Sequence, residues 1–209
     1  PRIEGLGGGG PVHTQAILAR SNVGLLEVVV EHLDEHPGAQ LYFEGGMSNY
    51  TFVGEASASV YDVLHLYMGT PARIRSDFLR GFGSFAAFEE FAEHTQDMQL
   101  KHACFLVRKY RTDLFRLLDM VKQGATDVRA EADAICATVH RAKGMEYDRV
   151  VLADDFITPE ELTRYVREQP LPAVAPVLNE EINILYVAIT RARSQISLPA
   201  SLGGLRSGK

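Results

Sequence analysis

Three short apolar runs constrain this chain more than anything else in it: residues 15–20 (QAILAR), 134–139 (AICATV) and 149–153 (RVVLA). None alternates apolar with polar residues, as a half-solvated strand does. Each reads as a strand buried on both faces, the pattern of a parallel sheet covered by helices. The segments between them carry helical spacing. Ser21 or Asn22 can cap a helix whose apolar face is Leu26, Val29, Val30 and Leu33, and Pro37-Gly38 stops it. Residues 40–43 read as another strand, closed by a turn at Gly45-Gly46. Ala56, Val60, Val63, Leu64 and Tyr67 then recur at helical spacing. Strand, helix, strand, helix is the opening of an α/β layered domain.

From about residue 69 to 132 the rhythm changes. Phe78, Phe82, Phe85, Phe88 and Phe91 suggest short aromatic-rich helices interrupted by Gly81 and Gly83. Leu106, Tyr110, Leu114, Leu117 and Val121 define one long amphipathic helix. The region reads as all-helical and could pack as its own small bundle. Its phenylalanines invite a base-stacking role, because aromatic rings form platforms for single strands. Their spacing fits a buried helix face at least as well. Further on, Thr158-Pro159-Glu160-Glu161 is a helix start with a cap, a proline at the first position and a glutamate at the third. Residues 179–192 read as a further helix and 195–198 as a last short strand. The organisation expected is a flexible linker over 1–12, an α/β sheet domain over 13–68 and 133–209, and a helical insertion over 69–132.

Composition narrows the function. The chain has 209 residues, 46% of them hydrophobic, enough to bury a sizeable core. A net charge of -6 gives no bulk attraction to nucleic acid, so any DNA contact must come from a few local cationic and polar groups. Cys104 and Cys136 sit in apolar surroundings without a CxxC or histidine partner, and read as buried hydrophobes of a reducing compartment. No run approaches the roughly 20 apolar residues of a membrane span. Gly7-Gly8-Gly9-Gly10 reads as part of a linker to something upstream, and a first residue other than Met fits a fragment of a longer protein.

Two stretches are chemically dense: 138–147 (TVHRAKGMEY) and 180–193 (EEINILYVAITRAR). Each packs hydroxyl, carboxylate and cationic groups beside an apolar run, and the first adds an imidazole. The first resembles motif V, and the second motif VI, of UvrD/Rep-type superfamily 1 helicases. Residues 16–22 (AILARSN) resemble motif IV, and 42–46 (YFEGG) the strand and Gly-Gly turn that follow it. The order and spacing match as well, over nearly the whole chain. Residues 153–156 (ADDF), 183–186 (NILY) and the short insertion look closest to the F-box DNA helicase branch.

That resemblance implies a RecA-like parallel sheet flanked by helices. This would be the second motor lobe (2A) of an ATP-dependent 3′-to-5′ DNA helicase, with a reduced 2B-like insertion, working in DNA repair and recombination. It implies Arg191 as an arginine finger and Arg20 as a second γ-phosphate cation; a guanidinium is always charged and can bridge two phosphate oxygens. It implies Glu146 as the ribose contact, with Gly144 supplying a tight turn beside the nucleotide. Thr138, His140 and Lys143 would meet the single-stranded DNA backbone. Glu181 would hold a basic side chain and Tyr186 would pack, whereas Arg141 falls at a variable surface position. No GxxxxGK[ST] phosphate loop occurs within the 209 residues. ATP and Mg2+ would therefore be bound jointly with an N-terminal RecA-like lobe of the same parent chain, and this chain alone would be inactive. Asp154-Asp155 is not read as a metal-binding pair, since the family places that pair in the other lobe; no metal site is expected. Two rival readings are a non-catalytic DNA- or protein-binding module and a lobe of a RecB/AddA-type helicase-nuclease. The expected location is the cytoplasm of a bacterium or the nucleus of a eukaryote.

Overall fold

A computed structural model describes residues 2–6, 13–50, 59–95, 97–168 and 171–206. Six strands form one sheet: β1 (Arg2–Leu6), β2 (Gln15–Ala19), β3 (Leu41–Phe43), β4 (Ala134–Thr138), β5 (Tyr147–Leu152) and β6 (Ala192–Pro199). Their order is β1-β6-β5-β2-β4-β3. All neighbours are parallel except β1, which runs antiparallel to β6. The three runs that read as buried strands are the three central ones. Ala16 to Ala19 of β2 are completely buried, and all five residues of β4 are buried.

Among the described residues eight α-helices pack on this frame: α1 (Asn22–Glu35), α2 (Val60–Tyr67), α3 (Asp77–Arg80), α4 (Phe85–Thr95), α5 (Met98–Tyr110), α6 (Asp113–Gln123), α7 (Pro159–Glu168) and α8 (Leu171–Ile189). Alternate strand residues divide the interior. Ile17, Ala19, Leu41, Phe43 and Cys136 share a core with α1, α2, α4, α5 and α6. Ala16, Leu18, Ile135, Ala137, Val150 and Leu152 pack on the other side with Ile184 and Ala188 of α8. The predicted start of α7 is realised as a capping box. Thr158 N–H donates to Glu161 at 2.9 Å, and Glu161 N–H donates back to Thr158 Oγ1 at 3.2 Å.

Several expectations are corrected. The helical region over 69–132 is not a bundle of its own, because its buried residues join α1 and the sheet in one continuous core. The long helix expected from Leu106 to Val121 is two helices, broken at Arg111, whose φ of 48° lies in the left-handed region. Both halves keep the apolar period, so the break leaves no mark on the pattern. Arg2–Leu6, read as linker, pairs with the free edge of β6, with Ile3 opposite Leu198. Such a ladder depends on backbone groups, which a sequence pattern does not record. The remainder of the expected linker, 7–12, and Ala56 lie outside the described residues. The final helix begins earlier than expected, at Leu171, and ends at Ile189. No described helix is long and apolar enough to cross a membrane.

Candidate nucleotide and nucleic-acid faces

Strand register places the motif residues on two opposite edges of the sheet. Ala19 is level with Thr138, and Leu18 with Leu152. Arg20, Val139 and Ala153 are the next residues, so all three stand at the carboxyl edge, where ligands gather in open α/β sheets. Tyr147 is level with Ala192, which puts Glu146 and Arg191 at the amino edge.

At the carboxyl edge the Arg20 guanidinium is forked by the Glu181 carboxylate. Nε donates to Oε2 at 2.6 Å and Nη2 pairs with Oε1. The pair is largely shielded, at 27% and 15% side-chain exposure. The hydrogen bonds that Arg20 donates to Glu181 raise its pKa above the ordinary value, against the opposing effect of burial. Glu181 thus does what sequence reading expected of it. Sequence reading set Asp155 aside, yet it anchors the same corner. Its Oδ1 accepts from Arg20 N–H at 2.9 Å, and its Oδ2 accepts from Ser21 N–H at 2.7 Å and from Ser21 Oγ at 2.9 Å. Burial raises the Asp155 pKa despite those bonds. Ser21 caps α1 in turn, accepting from Gly24 N–H at 2.9 Å. Asp155 comes so close to the helix that a Cβ on Gly24 would lie 2.0 Å from Oδ2.

Thr138 ends β4 and is only 8% exposed, while His140 and Lys143 on the loop beyond it are exposed. Neither His140 nor Lys143 has a hydrogen-bond or ion-pair partner among the described residues. Arg141, expected on a variable surface, is exposed and also acts as a pin. Its guanidinium lies 4.9 Å from the Tyr50 ring centre and donates to Asn49 O at 3.1 Å. It ties the loop to the turn after β3. The loop then closes through Gly144, whose φ of 85° favours glycine.

At the amino edge Arg191 caps the end of α8. Nε donates to Val187 O at 3.1 Å, Nη1 to Met145 O at 2.9 Å and Nη2 to Thr190 Oγ1 at 3.2 Å. A guanidinium carries five N–H donors, so two remain for a ligand. Beside it, Glu146 faces solvent and accepts from Arg193 Nε at 3.1 Å, with side-chain exposures of 54% and 60%. Tyr186, expected to pack, is 66% exposed. The two arginines expected to meet one phosphate stand apart, Arg20 beside the middle of α8 at Glu181 and Arg191 just past its C-terminal end. Glu181 and Arg191 are ten residues apart, about 15 Å along a helix. The structure therefore groups Arg191 with Glu146 and Gly144, and Arg20 with Glu181 and Asp155. Among the described residues, no cluster of His, Cys, Asp or Glu could hold a metal ion.

A parallel α/β sheet sandwiched by helices, with three motif segments at its edges, defines the RecA-like class of helicase lobe. More narrowly, the chain belongs to the UvrD-like helicase C-terminal domain family, which matches residues 85–201. It is 25% identical to F-box DNA helicase 1 of Gallus gallus over 195 residues, which span 89% of this chain and 19% of that one. It is 32% identical to F-box DNA helicase protein 1 of Schizosaccharomyces pombe over 127 residues, 57% of this chain and 14% of the relative. The chain thus spans less than a fifth of the length of each of these relatives.

Proposed function

We propose that this chain is the second motor lobe of an ATP-dependent 3′-to-5′ DNA helicase, coupling a nucleotide face at the amino edge to a single-strand face at the carboxyl edge. The observation that carries this reading is the pairing of Arg191 with the 144–146 turn. The same guanidinium that fixes the turn through Met145 O keeps two N–H donors free, beside an exposed Glu146 carboxylate. A γ-phosphate is matched by such donors, and a ribose hydroxyl by the carboxylate. Bound ATP supplies the phosphoanhydride that is cleaved. This chain contributes charge stabilisation and sugar recognition, while the phosphate loop and the Mg2+ ligands fall to a partner lobe.

At the other edge His140 and Lys143 present a donor and a cation to the phosphate backbone, as local DNA contact by a net acidic chain requires. On this reading Arg20, two of whose donors are taken by Glu181, positions the carboxyl edge rather than touching the nucleotide.

The test is Arg191→Ala in the full-length protein carrying both lobes. DNA-stimulated ATP hydrolysis is expected to fall by about 10³-fold or more, the scale of an arginine finger, with single-strand affinity little changed. Unchanged turnover would remove the assignment. Robust DNA-stimulated hydrolysis by the 209 residues alone would overturn the division between lobes.

A further inference from the structure

A cavity of about 650 Å³ opens in the helical layer between α2, the 71–76 segment and Lys122 at the end of α6, and none of the helicase-motif residues line it. Its lining is cationic: Arg73, Arg75, Arg80 and Lys122, with His65 on α2. Asp62 is the carboxylate among the described lining residues, and both its oxygens are engaged. Oδ1 accepts from Arg75 N–H at 3.1 Å and Oδ2 from Ser76 N–H at 2.9 Å. Arg80 acts as a strut, donating to Ile74 O and Arg75 O at 2.9 Å each and pairing with Asp77. It fixes the segment that carries Arg73. Lys122 arrives from a helix some fifty residues downstream, its Nζ 4.6 Å from the Tyr61 ring centre. The Tyr61 hydroxyl is buried with no hydrogen-bond partner. His65 reports the local field, since burial and then Arg73 lower its pKa.

Such a concentration of cations runs against the charge of the chain, which is -6. Apposed cations repel one another and are neutralised best by an anion of high charge density. A cavity of this size exceeds a lone phosphate and suits a nucleotide unit. We propose that it binds phosphate in the form of a nucleic-acid phosphodiester, with Arg73 and Lys122 as charge contacts and the Ser59 hydroxyl as a neutral donor. The phosphate chemistry follows from the cavity alone; nucleic acid as its source rests on the DNA-motor reading.

The experiment uses the 209-residue chain and a fluorescent oligothymidylate, with anisotropy measured across a salt series. A parallel arm titrates inorganic pyrophosphate, followed by ³¹P line broadening. Both substitutions, Arg73→Gln and Lys122→Gln, fall on exposed residues, and circular dichroism verifies their folds. The double variant is expected to bind oligonucleotide several-fold more weakly and to lose roughly one unit from the slope of log K against log salt. Tyr61→Phe, which removes a buried hydroxyl and no charge, should leave affinity and slope unchanged. Wild-type affinity and slope in the double variant would overturn the proposal. If the wild type ignores oligonucleotide but binds pyrophosphate, and the double variant does not, the phosphate pocket stands and the DNA-motor reading is what fails. Binding of neither ligand by the wild type would overturn both.

Discussion

Gly24→Ala sets a helix preference against a buried carboxylate. Position 24 lies in the first turn of α1, where alanine in place of glycine would ordinarily stabilise by up to about 1 kcal/mol. Here the new Cβ would lie 2.0 Å from Oδ2, 2.3 Å from Cγ and 2.6 Å from Cβ of Asp155. The whole side chain is in the way, so the carboxylate must leave its seat. At least two of its three hydrogen bonds, to Arg20 N–H, Ser21 N–H and Ser21 Oγ, leave with it. Bonds to a charged group contribute about 1.5–3 kcal/mol each, and losing two would cost roughly 3–6 kcal/mol by that scale. The direction of the Asp155 pKa trims this figure. Burial outweighs the bonds, so the ionised group is held at a cost that its removal refunds.

Setting that refund and the helix gain against the loss leaves a net destabilisation of about 2 kcal/mol, or a Tm lower by roughly 4–8 °C for a chain of this size. Urea unfolding followed by circular dichroism measures it. A double-mutant cycle with Asp155→Ala isolates the cause. The double variant should be no less stable than Asp155→Ala alone, a coupling of at least about 1 kcal/mol. A Gly24→Ala protein as stable as its parent, or more so, would refute the reasoning.

His65, whose pKa is lowered, makes the fold acid-sensitive in a defined window. The unfolded chain takes up this proton at higher pH than the folded one, so stability is full above about pH 6.5 and falls with pH down to the folded-state pKa. The urea midpoint of His65→Gln should fall less than that of the parent between neutral pH and about pH 5; parallel curves would exclude the effect. In the aromatic cluster, Phe88 is fully buried and Phe78 is 47% exposed, packed edge-on at 6.4 Å. Phe88→Ala should cost about 3–5 kcal/mol in denaturant unfolding, and Phe78→Ala much less. If the cluster is packing, as its edge-on rings indicate, Phe78→Ala binds oligothymidylate like the parent; a clear loss would restore base stacking.

What the sequence disclosed and what it hid have separate physical origins. Burial on both faces writes itself into composition, so β2 and β4 were legible as apolar runs; β5, also legible as one, is only part-buried at Arg149 and Val151, and the α7 cap showed as a four-residue box. The strand pairing of Arg2–Leu6 is backbone chemistry and leaves no side-chain trace. The break at Arg111 falls between two helices that share one apolar period, so periodicity alone joins them. The independence expected of residues 69–132 failed because an apolar helix face reads the same whether it packs on its own kind or on α1. In the site, motif resemblance located Arg20, Glu146 and Arg191 but carried no distance between them. The edge each one occupies depends on strand direction and on the course of α8. Asp155 was missed because its partners are two backbone amides and a hydroxyl, which no spacing rule encodes.

The separation of Arg20 from Arg191 gives α8 a mechanical meaning. Its midpoint, at Glu181, is bonded to the carboxyl edge and its C-terminal end, through Arg191, to the turn before β5, and between them Ile184 and Ala188 are buried against the sheet. A helical segment fixed at two points transmits displacement rather than absorbing it, and one held at a single point does not. Glu181→Gln keeps the shape but replaces a charged fork with at most one neutral bond, loosening the carboxyl edge alone. In the full-length protein, basal ATP hydrolysis should then persist, because Arg191 and Glu146 are untouched, while its stimulation by single-stranded DNA should fall several-fold. Arg191→Ala should do the opposite, removing basal and stimulated turnover together. A Glu181→Gln protein that loses basal and stimulated rates in equal proportion would show that the Arg20 corner serves the nucleotide directly, and the two-edge division would have to be abandoned.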